Sequence, residues 1–196
     1  VRQINLNDVD DENLDLSEWN LDCKTLNYHT LLNGLRTIHK PGYGLHKDWL
    51  VEDKHRRWNG DIYEAVNEWC ENSTAAEAKY GHISKWDTSH VTEMVKLFES
   101  MLFNEDISEW DVSNVTDMTL MFYKNVTFNG DISRWNVSSV TTMSWMFASS
   151  TYNGDISKWN VSNVTTMTHM FAWSHTFNGD ISRWNVSQVK NMCMIF

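Results

Sequence analysis

The side chains best placed to do chemistry in this sequence are carboxylates that recur. An Asp stands directly before an Ile at Asp106, Asp131, Asp155 and Asp180. Such a series offers two chemistries. Hard cations such as calcium take carboxylate oxygens, and a column of carboxylates repels itself unless something compensates. Alternatively, each Asp accepts backbone N–H bonds within its own turn, the last three in an Asn-Gly-Asp context. One carboxylate per repeat is sparse for calcium and His82 takes the corresponding place at the start of the series, so the turn reading is preferred and no metal is expected. Eight His show no HExxH-type spacing, and Cys23, Cys70 and Cys193 have no base near them in sequence. No phosphate loop, dinucleotide motif or nucleophile elbow occurs, so neither an enzyme nor a cofactor is expected. Asn-x-Ser/Thr triplets begin at Asn72, Asn114, Asn125, Asn136, Asn160, Asn163 and Asn185, each a glycan acceptor in a secreted protein. Glycans at Asn136, Asn160 and Asn185 would crowd one another, so at most a few of the seven sites are used; Asn125, in the longer loop, is the best candidate, and Asn72 is named with it.

These residues need elements to hold them, and the elements come from a repeat. From His82 onward the pattern Ile-Ser-x-Trp-x-x-Ser-x-Val-x-x-Met-x-x-Met-Phe recurs. Its Trp falls at Trp86, Trp110, Trp135, Trp159 and Trp184, with spacings of 24, 25, 24 and 25. Val91, Val115, Val140, Val164 and Val189 keep strict register with it, as do Met94, Met118, Met143, Met167 and Met192. All length variation lies after the Phe, the signature of an outer loop. A unit this short cannot bury its own apolar side chains, so neighbours must stack and share a core. Trp110-Asp111-Val112 alternates like a short strand, and Val115, Met118, Met121 and Phe122 lie on one stripe of a short helix or 3₁₀ turn, with Ser113 at its N-cap. The expected fold class is therefore α/β: a leucine-rich-like solenoid of five coils over 82–196, with short parallel strands and short helical turns.

On a strand face of that kind the residues flanking each Trp point outward. They form two columns, Lys85, Glu109, Arg134, Lys158 and Arg183 before it, and Asp87, Asp111, Asn136, Asn160 and Asn185 after it. Exposed columns are where stacked-repeat proteins bind, so these ten residues are the expected interaction strip.

Residues 58–81 read as a helical cap on the first coil. Ile62, Ala65, Val66, Trp69 and Cys70 share one helix face, and Asp61 with Glu64 and Thr74 with Glu77 have capping-box spacing. Helices over about 61–71 and 75–80 follow. Residues 1–57 form an irregular arm, with a faint echo of the repeat at Leu14–Leu21 and a helix over Tyr28–His39.

Segments such as 128–147 (FNGDISRWNVSSVTTMSWMF) resemble the BspA-like surface-protein repeat, also called DUF285, over about residues 79 to 196. That family occurs in bacterial lipoproteins and cell-surface proteins, in microalgae and in some large viruses. The resemblance implies a leucine-rich-like solenoid used in adhesion or protein interaction, at the cell surface, with no enzymatic residues to carry over.

Composition narrows the partners. The chain has 196 residues, 41% of them hydrophobic, enough for a core. A net charge of -10 argues against a nucleic-acid partner, and the basic run Lys54–Arg57 is too short to reverse that. No apolar stretch is long enough for membrane insertion. The expected role is a non-catalytic adhesion or scaffold module that binds other proteins or glycans. The alternative is an architectural subunit of a large assembly, such as a virion shell or membrane-protein supercomplex, with the coil ending at Phe196 as its uncapped contact.

Overall fold

The structure, a computed structural model, describes residues 54–196. The chain divides into two compact units, 1–52 and 53–196, and the fold described is that of the second. The expectations at Leu14–Leu21 and Tyr28–His39 lie outside the described residues.

The described unit is α/β. Strand β1 (Arg56–Trp58) leads into helices α1 (Ile62–Glu71) and α2 (Ser73–Tyr80). A 3₁₀ turn (Ile83–Lys85) and strand β2 (Asp87–His90) follow, and β2 pairs in parallel with β1. Helix α1 forms because Ile62, Ala65, Val66 and Trp69 recur at helical spacing, and all four are buried. Its start departs from the capping-box expectation. Asp61 makes no cap bond to the helix; its carboxylate takes the Trp58 N–H and the buried Arg57 guanidinium instead. The cap of α2 is Asn72 rather than Thr74, with Asn72 Oδ1 accepting from the Ala75 N–H at 3.1 Å. Lys79 clamps the two helices by reaching Glu68 at 2.8 Å and Glu64 at 3.4 Å.

Beyond β2 the repeats lie side by side, joined by parallel bridges Glu93–Asp117, Asp117–Thr142, Thr142–Thr166 and Thr166–Asn191. The strand-like pairing is thus in the Val-x-x-Met segment, not at Trp-x-Val, which in repeats two to five is neither strand nor turn and lies between two turns. The expected helical turn over Val115–Phe122 is replaced by consecutive β-turns. Leu97 N–H reaches back to Met94 O, and Met101 N–H to Phe98 O, with Lys96 (φ 62) and Ser100 (φ 58) left-handed at the third positions. A helix would spend every N–H inside its own segment. Here alternate N–H groups are spent on the next repeat, and that division of donors forbids the helix.

The cross-repeat bonds are regular. Met94, Lys96, Phe98 and Ser100 donate to Asp117, Thr119, Met121 and Tyr123 carbonyls at 2.8–3.0 Å. The equivalent donors Met118, Leu120, Phe122 and Lys124, and then Met143, Trp145, Phe147 and Ser149, repeat the scheme onto the following unit. In each case only one bond runs backwards, as from Thr116 N–H to Thr92 O.

Inside, like residues form columns. From the second repeat on, the column Trp indole donates to the carbonyl of the Ile one repeat earlier: Trp110 to Ile83, Trp135 to Ile107, Trp159 to Ile132 and Trp184 to Ile156, at 2.9–3.1 Å. Phe98, Phe122, Phe147 and Phe171 stack at centroid spacings of 5.3–5.8 Å. A second aromatic column, Phe103, Phe128 and Tyr152, packs against the first. Asn side chains tie the loops together, with Asn104, Asn129 and Asn153 each accepting the N–H of the next Asn in the series.

Candidate interaction surface

The column Lys85, Glu109, Arg134, Lys158 and Arg183 lies exposed, at the third position of each Ile-Ser-x-Trp turn. None of the five makes an ion pair among the described residues. The turn itself explains their outward aim: Ile and Trp are drawn into the core, and the Trp N–H closes onto the Ile carbonyl, as in Trp135 to Ile132 at 3.1 Å. What remains between them faces solvent.

The second column is not free in the same way. Asp111, Asn136, Asn160 and Asn185 are exposed, yet each accepts the N–H of the Ser two residues later, at 2.9–3.2 Å. Asp87 does the same with Ser89, is half-buried, and pairs with Arg56 at 3.4 Å. These residues are Asx turns. The Ser expected as helix N-caps are therefore the donors in such turns instead, as Ser113 is to Asp111.

The recurring carboxylates also take the turn reading. Asp106, Asp131, Asp155 and Asp180 accept from Ser108, Ser133, Ser157 and Ser182 N–H at 2.9–3.0 Å. That backbone bond, then the Ser hydroxyl, holds each carboxyl below the usual carboxylate range. Lys85, Arg134, Lys158 and Arg183 lower them further, so each cation of the exposed column stands near an ionised Asp. The strip is a mixed-charge surface. Among the described residues no group of three or more His, Cys, Asp or Glu could hold a metal ion.

The two expected glycan acceptors part company. Asn72 is exposed, although its Oδ1 caps α2. Asn125 is fully buried: Oδ1 accepts from Thr127 and Phe128 N–H, and Nδ2 points to Phe98 O at 3.5 Å. The longer loop folds its amide inward to satisfy its own turn, so the folded chain has no room for a glycan there.

One cluster escapes the pattern-based reading. Trp145 and Trp173 lie outside the repeating Trp column, at left-handed positions (φ 62 and 57), with His169 (φ 57) between them. Trp145 and His169 stack face to face at 4.0 Å, Trp173 stands 5.8 Å from Trp145, and Tyr123 meets Trp145 edge-on at 5.9 Å. Trp173 is 58% exposed. The signal available in sequence was a Trp out of register with the repeat.

A family model described as "Mycoplasma protein of unknown function, DUF285" matches residues 64–152 and 148–196. The chain belongs to the DUF285 family. The two matches together begin in α1 and take in α2 and all five repeats. No curated protein and no solved structure matches the chain. Among the described residues of this DUF285 protein, no helix is long and apolar enough to cross a membrane.

Proposed function

We propose that the protein is a non-catalytic interaction module, an adhesion or scaffold unit whose repeats stack as a solenoid behind the α1–α2 cap. It binds another protein through the strip formed by Lys85, Asp87, Glu109, Asp111, Arg134, Asn136, Lys158, Asn160, Arg183 and Asn185. The observation that carries this reading is the exposed charge column without ion pairs: four of its five members are cations in a chain of net charge -10. Surface cations in an acidic protein normally settle into local pairs, as Lys79 and Lys96 do here. Aligned cations beside ionised Asp residues present complementary charge to a partner, which steers encounter and fixes register more than it adds affinity.

Zero-length carbodiimide coupling of the protein in its native source tests this directly. Lys79–Glu68 and Lys96–Glu99 links within the chain serve as internal controls. The expected result is coupling of Lys85 and Lys158 to carboxylates of another protein. Control links alone would overturn the reading. A surface location is part of the proposal: a mass increment lost in Asn72→Gln is the expected sign of a secretory route.

A further inference from the structure

We infer that the Tyr123–Trp145–His169–Trp173 cluster, with the hydroxyl row that adjoins it in the chain, is a binding site for a neutral polysaccharide. The inference names a ligand for the interaction module proposed above, on a different set of residues from the charged strip.

Charge gives the first observation. Repeats one and two carry Glu93, Lys96, Glu99, Asp117 and Lys124 along the bridged segment and its turns. Residues 135–154 and 159–179 then contain no Asp, Glu, Lys or Arg. In a chain of net charge -10, two such stretches in consecutive repeats, interrupted by Asp155 and Lys158 and bordered by the Lys124 ammonium 5.0 Å from the Tyr123 ring, suit a ligand without charge.

The second observation is a continuous row of hydroxyls. Thr119 contacts Thr142 at 3.2 Å, Thr142 reaches Ser144 at 3.4 Å, Ser144 meets Thr166 at 3.3 Å, and Thr166 meets Thr168 at 3.1 Å. Each hydroxyl has one donor and two acceptor lone pairs, so a row bonded end to end keeps acceptor capacity for ligand hydroxyls. Ser144 and Thr168 directly precede Trp145 and His169 in the chain.

The rings give the third. Trp145, His169 and Trp173 occupy the left-handed turn positions that Lys96, Leu120 and Lys124 hold in earlier repeats, so rings replace aliphatic side chains there. Cross-repeat bonds hold the first two there, Trp145 N–H to Thr168 O at 2.9 Å and His169 N–H to Cys193 O at 3.0 Å. Their rings are not in the core: Trp145 and His169 are half-buried and Trp173 is exposed. Trp173 borders a cavity of about 310 Å³ together with His169, His175 and Met194, and His169 Nδ1 is buried without a partner. An exposed indole offers a flat apolar surface with a polar handle, and sugar rings present apolar C–H faces edged by hydroxyls. A protein partner would be expected to engage the charged strip instead.

The test is retention of the full 196-residue chain in affinity electrophoresis through gels containing cellulose derivatives, β-1,3-glucan, mannan or soluble chitin. Retardation by at least one of these is expected, with a dissociation constant raised tenfold or more in Trp173→Ala. Thr166→Val, which removes one hydroxyl from the row, is expected to weaken retention several-fold. Glu77→Gln, at an exposed position on α2, leaves it unchanged. Far-UV circular dichroism of each variant checks the fold. No retardation by any of the four polysaccharides overturns the inference, and so does retardation that both Trp173→Ala and Thr166→Val leave intact. The carbodiimide experiment is independent of either result, so the two readings fail separately.

Discussion

Single side chains show where the repeat is satisfied and where it is not. Tyr152 occupies a place held by Phe103 and Phe128 in the preceding repeats, and its hydroxyl is buried without a partner. Burial pushes that phenol up, well above its ordinary range. Tyr152→Phe removes an unpaired polar group at constant ring packing, so it is expected to raise stability by about 1 kcal/mol, read from urea unfolding midpoints. The Asx carboxylates carry the opposite lesson. Asp106, Asp131, Asp155 and Asp180 are held below the ordinary range by the N–H groups they accept, so the folded state favours their charged forms. That stability is present above the ordinary carboxylate pKa of about 4 and is lost as pH falls through the lowered values. Changing all four to Asn keeps the acceptor and removes the titration. The urea midpoint of that variant should change less between about pH 6 and pH 3 than the parent's.

At the scale of elements, the left-handed residues decide the conformation of each repeat. Ser149 (φ 54) stands half-buried at one of them, and its N–H donates to Ala172 O at 2.8 Å. Ser149→Gly relieves the backbone and should stabilise by about 0.5 kcal/mol, after the entropy cost of glycine. Ser149→Val puts a β-branched residue in the same conformation and should destabilise by about 1–2 kcal/mol, measured in the same unfolding assay. These positions also mark where sequence reasoning ran out. The period, the buried Trp, Val, Met and Phe columns, and the helices before them were legible, because burial imposes a spacing that composition cannot hide. The backbone between those columns was not. Val115, Met118, Met121 and Phe122 have helical spacing, yet they fold as turns because a neighbouring repeat competes for the N–H groups. Lys, Leu, Trp, His and Met at left-handed positions give no glycine to announce them. Of the surface, the exposure of Lys85 to Arg183 followed from alternation about the Trp. The inward turn of Asn125 did not, since it depends on loop bonds that no short motif encodes.

Beyond β2 the described unit is a series of like repeats, each bonded to the repeats before and after it. Excision of residues 129–152 joins Phe128 to Asn153 and keeps every column in register. The shortened chain should fold, with the parent circular dichroism signature per residue, and unfold cooperatively at a lower temperature. A non-cooperative transition would mean that the layers are not equivalent. The direction of the cross-repeat bonds has a consequence for the molecule's electric field. Ordinary sheets have little net dipole because their strand dipoles alternate. Here up to four peptide groups per layer point their N–H ends toward the next repeat and one points back, so the moments add along the axis much as they do in an α-helix. The unit is polarised, positive toward Met192–Phe196 and negative toward α1. Met194 is 65% exposed at the positive end. Met194→Glu should therefore be more stable than Met194→Lys by about 0.5 kcal/mol at low salt, a difference that fades as ionic strength rises.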